Sequence, residues 1–202
     1  MSDAEMPIWK FEKIIHEGAE ATVSEGKWFG KSVISKVRRK RGYRYPELDR
    51  KLTKKRIAAE ARILFRLRKK SFPCPSIYYI DTNNSQIIMS KIFATPLYEK
   101  LNKLKSPKLI LEEIGKLIRR LHLSDISHGD LTTHNILLSP REELFIIDFG
   151  LSRISPELEH LGLDLQVLSE CLTASHANIK NPMEAIIRGY ISIDDNNPDS
   201  EN

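Results

Sequence analysis

His128-Gly129-Asp130-Leu131-Thr132-Thr133-His134-Asn135, followed by Ile146-Ile147-Asp148-Phe149-Gly150, is the densest chemical signal in the chain. Phosphoryl transfer from ATP needs a carboxylate to orient the acceptor and oxygen ligands to hold Mg²⁺ against the phosphates. Asp130 and Asn135 lie on one loop leading into a short apolar run, Asn135 to Leu138. Asp148 stands where the next run, Leu144 to Ile147, ends. The turn Ser139-Pro140-Arg141 makes a hairpin of the two runs and brings the three side chains together. Order and spacing are those of a kinase catalytic loop and metal loop. Asp-Phe-Gly alone would be an ordinary turn after a strand; the joint pattern carries the reading.

Such a loop needs a lysine for the phosphates and a glutamate to hold it. Three short β-branched or aromatic stretches, Phe11 to Ile15, Ala21 to Glu25 and Ser32 to Val37, are separated by Gly18, Gly26 and Gly30 and read as strands. In the third, Lys36 alternates with Val33, Ser35 and Val37 and so faces alongside Ile34. A helix is expected from Pro46 to Lys70, ended by Ser71-Phe72-Pro73. Its apolar stripe, Ile57, Ala61 and Leu64, includes Glu60 at helical spacing. A carboxylate on a buried face calls for a partner, and Lys36 is the natural one; the local alternative is Arg56 or Lys55. Lys31, Lys40 and the arginines nearby read as surface charges. Gly18, Ala19 and Glu20 sit between two strands, where a phosphate-covering loop belongs, although by themselves they are a hairpin turn.

Ile77 to Ile80 and Gln86 to Met89 flank Asn83-Asn84-Ser85 as a hairpin, and Pro107 to His122 is amphipathic, with Leu111, Ile114, Ile118 and Leu121 on one stripe. Helical pattern resumes at Leu161. The expected class is α+β, a minimal two-lobed protein-kinase-like fold. Residues 1–89 form a strand-rich N-lobe, 90–195 a mainly helical C-lobe, and 196–202 a disordered acidic tail. The cleft is expected near Ser90 to Ala94, with Met89 and Ile92 added to Gly18, Ala19, Glu20 and Lys36 as nucleotide contacts. Asp164, a lone acid in an apolar helix, either accepts backbone hydrogen bonds from the catalytic loop or sits exposed. His122, His134, His160 and His176 lack metal spacing.

The chain has 202 residues, 41% of them hydrophobic, and a net charge of +5. No apolar run approaches the ~18 residues that span a bilayer. Met1 to Lys10 lack a signal-peptide pattern, and Cys74 and Cys171 lack metal-ligand spacing and read as reduced thiols. A cytoplasmic protein without membrane contact is the expectation. Basic residues crowd Lys36 to Lys70, either as a solvated helix face or as a surface for a polyanion such as RNA.

Gly129-Asp130-Leu131-Thr132-Thr133 resembles the small atypical kinases of the KEOPS (EKC) complex, the PRPK family of archaea and eukaryotes. Gly18-Ala19-Glu20-Ala21, the stretch Gly42 to Asp49 and Glu60-Ala61-Arg62 agree, so the resemblance runs from about Phe11 to Tyr190. It implies an ATP- and Mg²⁺-dependent Ser/Thr protein kinase and ATPase, with Lys36 on the phosphates, Glu60 as its partner, Asp130 as acid-base residue, and Asn135 and Asp148 on the metal. It also implies membership in the machinery that makes threonylcarbamoyladenosine in tRNA. The direct partner there is the threonylcarbamoyl transferase subunit, alongside other KEOPS subunits and tRNA. Family members often end in an arginine-rich tail; Ile193 to Asn202 is acidic and polar instead.

Gly129 replaces the arginine with which typical kinases read a phosphorylated activation loop, and the span from Gly150 to Asp164 has no room for that loop. Thr132 stands where many kinases place a lysine, which should slow transfer. The competing readings are a RIO-type or small-molecule kinase outside KEOPS, against which the Tyr45 to Asp49 stretch argues, and a non-catalytic scaffold, against which the intact Asp130, Asn135 and Asp148 argue.

Overall fold

Phe29 and Gly30 both take positive φ, 46° and 77°, the conformation of a tight two-residue hairpin turn. They join β2 (Ala21–Trp28) to β3 (Lys31–Arg38) in a register that pairs Trp28 with Lys31 and Val23 with Lys36. The computed structural model describes residues 9–18, 20–39 and 45–193. Ala19, Lys40, the 41–44 stretch and the acidic tail lie outside the described residues.

The chain forms two compact units. Of the described residues, the first takes those up to Phe65 together with Pro75–Ile92; the second takes Arg66–Cys74 and those from Phe93. In the first, β1 (Trp9–Glu17), β2, β3, β5 (Gln86–Ser90) and β4 (Ile77–Asp81) form one antiparallel sheet in the order β1-β2-β3-β5-β4. Asp81 accepts the N–H groups of Asn83 and Asn84 at 2.8 and 3.0 Å, which fixes the predicted β4–β5 hairpin. Helix α1 (Pro46–Lys69) lays Ile57 against Ile87 and Met89, with Ile34 and Ile77 beside them. The edge strand β1 is exposed along nearly its whole length.

The second unit is mainly helical. Its short strands are β6 (Thr95–Pro96), β7 (Ile126–Ser127), β8 (Ile136–Leu138), β9 (Leu144–Ile146) and β10 (Arg153–Ile154). They form a β6-β8-β9 sheet and a β7–β10 pair. Pro73 accepts the N–H of Ile146 at 3.0 Å, which ties the Arg66–Cys74 segment to this unit. A one-turn helix, α2 (Leu97–Lys100), precedes α3 (Pro107–His122), whose predicted stripe is buried as Leu111, Ile114, Ile118 and Leu121. Helix α4 (Leu158–Ser175) starts a turn earlier than the apolar pattern suggests, because the Glu157 N–H donates to His160 Nδ1 and opens the helix with polar residues. The unit closes with α5 (Pro182–Ile191). Helices α3 and α5 touch backbone to backbone: a Cβ on Gly115 would meet Ile186 O at 1.9 Å, and one on Gly189 would meet Glu112 O at 1.9 Å. Among the described residues no helix is long and apolar enough to cross a membrane.

Candidate active site

The first unit holds the residues expected on the phosphate side. Strand alternation puts Val33 and Ser35 on one face of β3, and Lys36 is carried to where Glu60 sits on α1. Lys36 Nζ donates to Glu60 Oε1 at 2.8 Å, and both side chains are almost fully buried. The expected pairing is therefore the one formed, while Arg56 turns instead to Glu20, at 3.4 Å. One expectation is corrected: Arg38 is no surface charge. It is 7% exposed and its Nη2 reaches Glu60 Oε2 at 2.6 Å. A carboxylate buried in low dielectric is stable as an anion only when its lone pairs are met, and two cations meet them here. The sequence signal existed, since Arg38 follows Lys36 by two and shares its strand face.

Of the other residues expected at the nucleotide, Gly18 donates its N–H to Ala21 O at 3.0 Å in the β1–β2 turn. Glu20 lies 3.8 Å from Arg38 Nη1. Met89 pairs with Ile34 across β3–β5 and is buried, and half-buried Ile92 follows β5. Ala19 is outside the described residues.

The second unit holds the loop chemistry. Asn135 Nδ2 donates to Asp130 twice, to its main-chain O at 2.8 Å and to its Oδ2 at 3.1 Å. Asp130 is exposed, and no described donor occupies its Oδ1. The Ile147 N–H donates to Asn135 O at 2.9 Å, so the residue before Asp148 is stitched to the Asn135 end of the loop. The predicted hairpin thus brings Asp130, Asn135 and the Asp148 turn together. Asp148 has φ 61°, a region that Asp tolerates better than most residues, and its Oδ1 accepts the Gly150 N–H at 3.2 Å.

Two residues hold this loop: His128, which the sequence reading gives no role, and Asp164, for which a bond to the loop is one of the two expected alternatives. His128 is wholly buried; its Nδ1 accepts the Asp130 N–H at 3.2 Å and its Nε2 donates to Ile147 O at 3.0 Å. Those bonds suit the neutral imidazole, and burial holds its pKa below the ordinary histidine value, against the pull of Asp164, Asp148 and Asp130. Asp164 is 1% exposed and accepts the N–H groups of His128 and Gly129 at 2.6 and 2.7 Å, which decides its open alternative in favour of the catalytic loop. Gly129 sits at φ +81°, and a Cβ there would meet Leu151 O at 2.4 Å. The loop's geometry therefore excludes the arginine of typical kinases. The segment after Gly150 is short and pinned: Ser152 Oγ donates to His128 O at 2.8 Å, and β10 pairs with β7.

The Asn135 amide nitrogen is committed to Asp130, which leaves its carbonyl oxygen, with the Asp148 carboxylate, as hard oxygen donors. Among the described residues no cluster of three or more His, Cys, Asp or Glu side chains makes a closed metal cage. That donor set fits Mg²⁺, which takes one or two protein oxygens and completes its shell with phosphate and water.

Comparisons with known proteins give the same outline. The RIO-domain family model matches residues 29–173. KEOPS complex subunit Bud32 of Pyrococcus abyssi is 37% identical over 90% of this chain and 86% of its own. EKC/KEOPS complex subunit bud32 of Dictyostelium discoideum is 36% identical, over 88% and 73%. A probable bifunctional tRNA threonylcarbamoyladenosine biosynthesis protein of Methanosphaera stadtmanae is 42% identical over 80% of this chain, which spans only 30% of that longer protein. The crystal structure of the Rio2 kinase–ADP/Mg²⁺–phosphoaspartate complex from Chaetomium thermophilum superimposes with a TM-score of 0.73 at 16% identity, covering 94% of this chain and 66% of that one. The kinase-like α+β fold is thereby shown. The RIO domain, expected as a rival reading, and the KEOPS relatives describe the same chain.

Proposed function

This chain belongs to the RIO-domain family and to the Bud32 family of KEOPS-complex subunits, and from that premise we propose that it is a Mg²⁺- and ATP-dependent phosphotransferase working in tRNA threonylcarbamoyladenosine formation, chiefly as an ATPase. The observation that carries the proposal is the state of Asp130. Asn135 fixes one of its carboxylate oxygens, and the other faces no protein donor among the described residues. A carboxylate so held accepts a hydrogen bond from an attacking hydroxyl or water and sets its direction.

Bound Mg·ATP supplies the phosphoryl group and the charge neutralisation of its phosphates. The chain supplies position. Lys36, kept in place by Glu60, offers its ammonium to phosphate oxygens. Asn135 and Asp148 offer the oxygens for Mg²⁺. Thr132 offers no positive charge where a lysine would speed transfer, so turnover is slow. The pinned segment after Gly150 leaves no platform for a peptide, which favours water over a protein hydroxyl as the acceptor. Protein Ser/Thr phosphorylation is the lesser activity in this account.

The relatives named bifunctional carry more than twice this chain's matched length. That supports a partner acting beside the kinase-like part, and we take it to be the threonylcarbamoyl transferase subunit, with tRNA bound by the assembled complex in the cytoplasm. The test is steady-state ATP turnover by this chain alone and with that subunit. Turnover that rises with the subunit supports the proposal; a complex that assembles without turnover supports a scaffold instead.

A further inference from the structure

The loop carrying Asp130 hangs on Asp164, and Asp164 is itself held by a chain of buried polar groups that ends on α5. Asp164 Oδ2 lies 3.2 Å from His122 Nε2, and His122 Nδ1 lies 2.8 Å from the Tyr190 hydroxyl. Arg119 Nη1 donates to that hydroxyl at 3.3 Å while its guanidinium lies over the Tyr190 ring. The His122 side chain has no exposure and that of Asp164 has 1%.

The direction of each bond follows from what the ends can do. Arg119 can only donate and the Asp164 carboxylate can only accept. His122 Nε2 therefore carries a hydrogen toward Asp164. The Tyr190 oxygen accepts from Arg119, and its own hydrogen has His122 Nδ1 as the protein acceptor in reach. Every group is satisfied with His122 neutral and protonated on Nε2. Sequence builds this contact through Gly115 and Gly189. Without a Cβ at either, α3 and α5 approach closely enough for Tyr190, next to Gly189, to reach His122.

We propose that Tyr190 is a positioning residue for phosphoryl transfer: through its hydroxyl it fixes the tautomer and orientation of His122, hence Asp164, hence the His128 and Gly129 amides that set Asp130. This rests on the function proposed above and deepens it. Without the hydroxyl, His122 Nδ1 is a buried acceptor with no donor, and the ring leaves the geometry that suits Asp164. The edge-to-face contact of the His122 and Tyr190 rings, centroids 5.5 Å apart, would survive the loss.

Tyr190→Phe in the full chain isolates the hydroxyl. The expected result is a fall in kcat of about tenfold, within the range such network changes carry, with KM for ATP within about twofold of wild type. The His128 and Gly129 amide protons should move in NMR spectra, while the unfolding midpoint falls only by the modest amount that one orphaned buried acceptor costs. Combined with His122→Asn, the loss should not multiply. Wild-type kinetics with unmoved amides would overturn the proposal, and so would a loss that tracks a lowered unfolding midpoint with those amides unmoved. If Tyr190→Phe does not fold, the nitrogen shifts of His122 in the wild-type chain decide: hydrogen on Nε2 supports the relay and hydrogen on Nδ1 overturns it. Should the wild-type chain and its complex not turn over ATP, the functional reading fails, and the amide and tautomer measurements still judge the relay.

Discussion

Arg38 reaches the Glu60 carboxylate at 2.6 Å, on the oxygen that Lys36 leaves open. The ion pair expected of a kinase is thus a triad, and its members are not equivalent. Lys36→Ala leaves Glu60 with a cation, whereas Glu60→Ala takes the shared carboxylate from two buried cations. Glu60→Ala should cost about 3–5 kcal/mol of stability, and Lys36→Ala clearly less. Both should lower ATP turnover, with the double variant little worse than the worse single one. Urea unfolding and turnover assays check both statements; equal stability losses would show that Arg38 adds nothing.

Asp164→Asn keeps the shape and removes one acceptor. Three N–H groups face this carboxylate, Gly129 at Oδ1 and His128 and His122 at Oδ2, and an amide can accept on one side only and must point its own N–H₂ at the other. The expected cost is about 1–3 kcal/mol in stability and a marked fall in kcat with little change in ATP affinity. Calorimetric titration with nucleotide, run beside turnover, separates the two.

Restoring the arginine of typical kinases should harm this loop. Gly129 lies at φ +81° with Leu151 O where a Cβ would go. Gly129→Ala and Gly129→Arg should each cost at least about 1–3 kcal/mol and most of the activity. Because the segment after Gly150 is pinned without a phosphate, phosphatase treatment should leave ATP turnover unchanged. A large drop on treatment would place a controlling phosphosite there.

The buried neutral His128 predicts a pH dependence. Its folded pKa lies below the ordinary value of 6.5, so below that pH the unfolded chain binds the proton more readily than the folded one. Stability is full above about pH 6.5 and falls as pH drops from there toward the folded pKa. Burial lowers His176 in the same sense. Urea midpoints between pH 5 and 8 should show the slope, and His128→Asn should flatten part of it; an unchanged slope would mean His128 does not bury its neutral form.

The basic stretch divides into tied and exposed cations. Arg39 is tied to Glu17 and Thr22, Lys54 to Asn83, and Arg56 to Glu20. Arg50, Lys51 and Lys55 are exposed on α1. Reversing these three to Glu should weaken tRNA binding by the complex and reduce its salt slope by up to about one unit for each phosphate no longer neutralised, with basal ATP turnover retained. If tRNA binding holds but the transferase subunit no longer associates, the face docks protein.

Much of this was legible because local rules and global fold agree. The 2- and 3.6-residue periods located the long strands and helices, and the loop motif located Asp130, Asn135 and Asp148. Arg38 shares the strand face of Lys36, yet that parity alone does not show that α1 presents one carboxylate to two cations. The Tyr190–His122–Asp164 chain was hidden for a similar reason: its members lie on α5, α3 and α4, and only packing through Gly115 and Gly189 joins them. The two-residue strands β6, β7 and β10 carry too few residues for a period to show.

The most direct measurement is Mg²⁺-dependent ATP turnover by the wild-type chain and by Asp148→Ala, each alone and with the transferase subunit, after circular dichroism shows both folded. The account predicts slow turnover in the wild type, raised by the subunit, and a fall of roughly a hundredfold or more in the variant. Equal turnover in the two chains, or none in the wild type with the subunit bound, would contradict it.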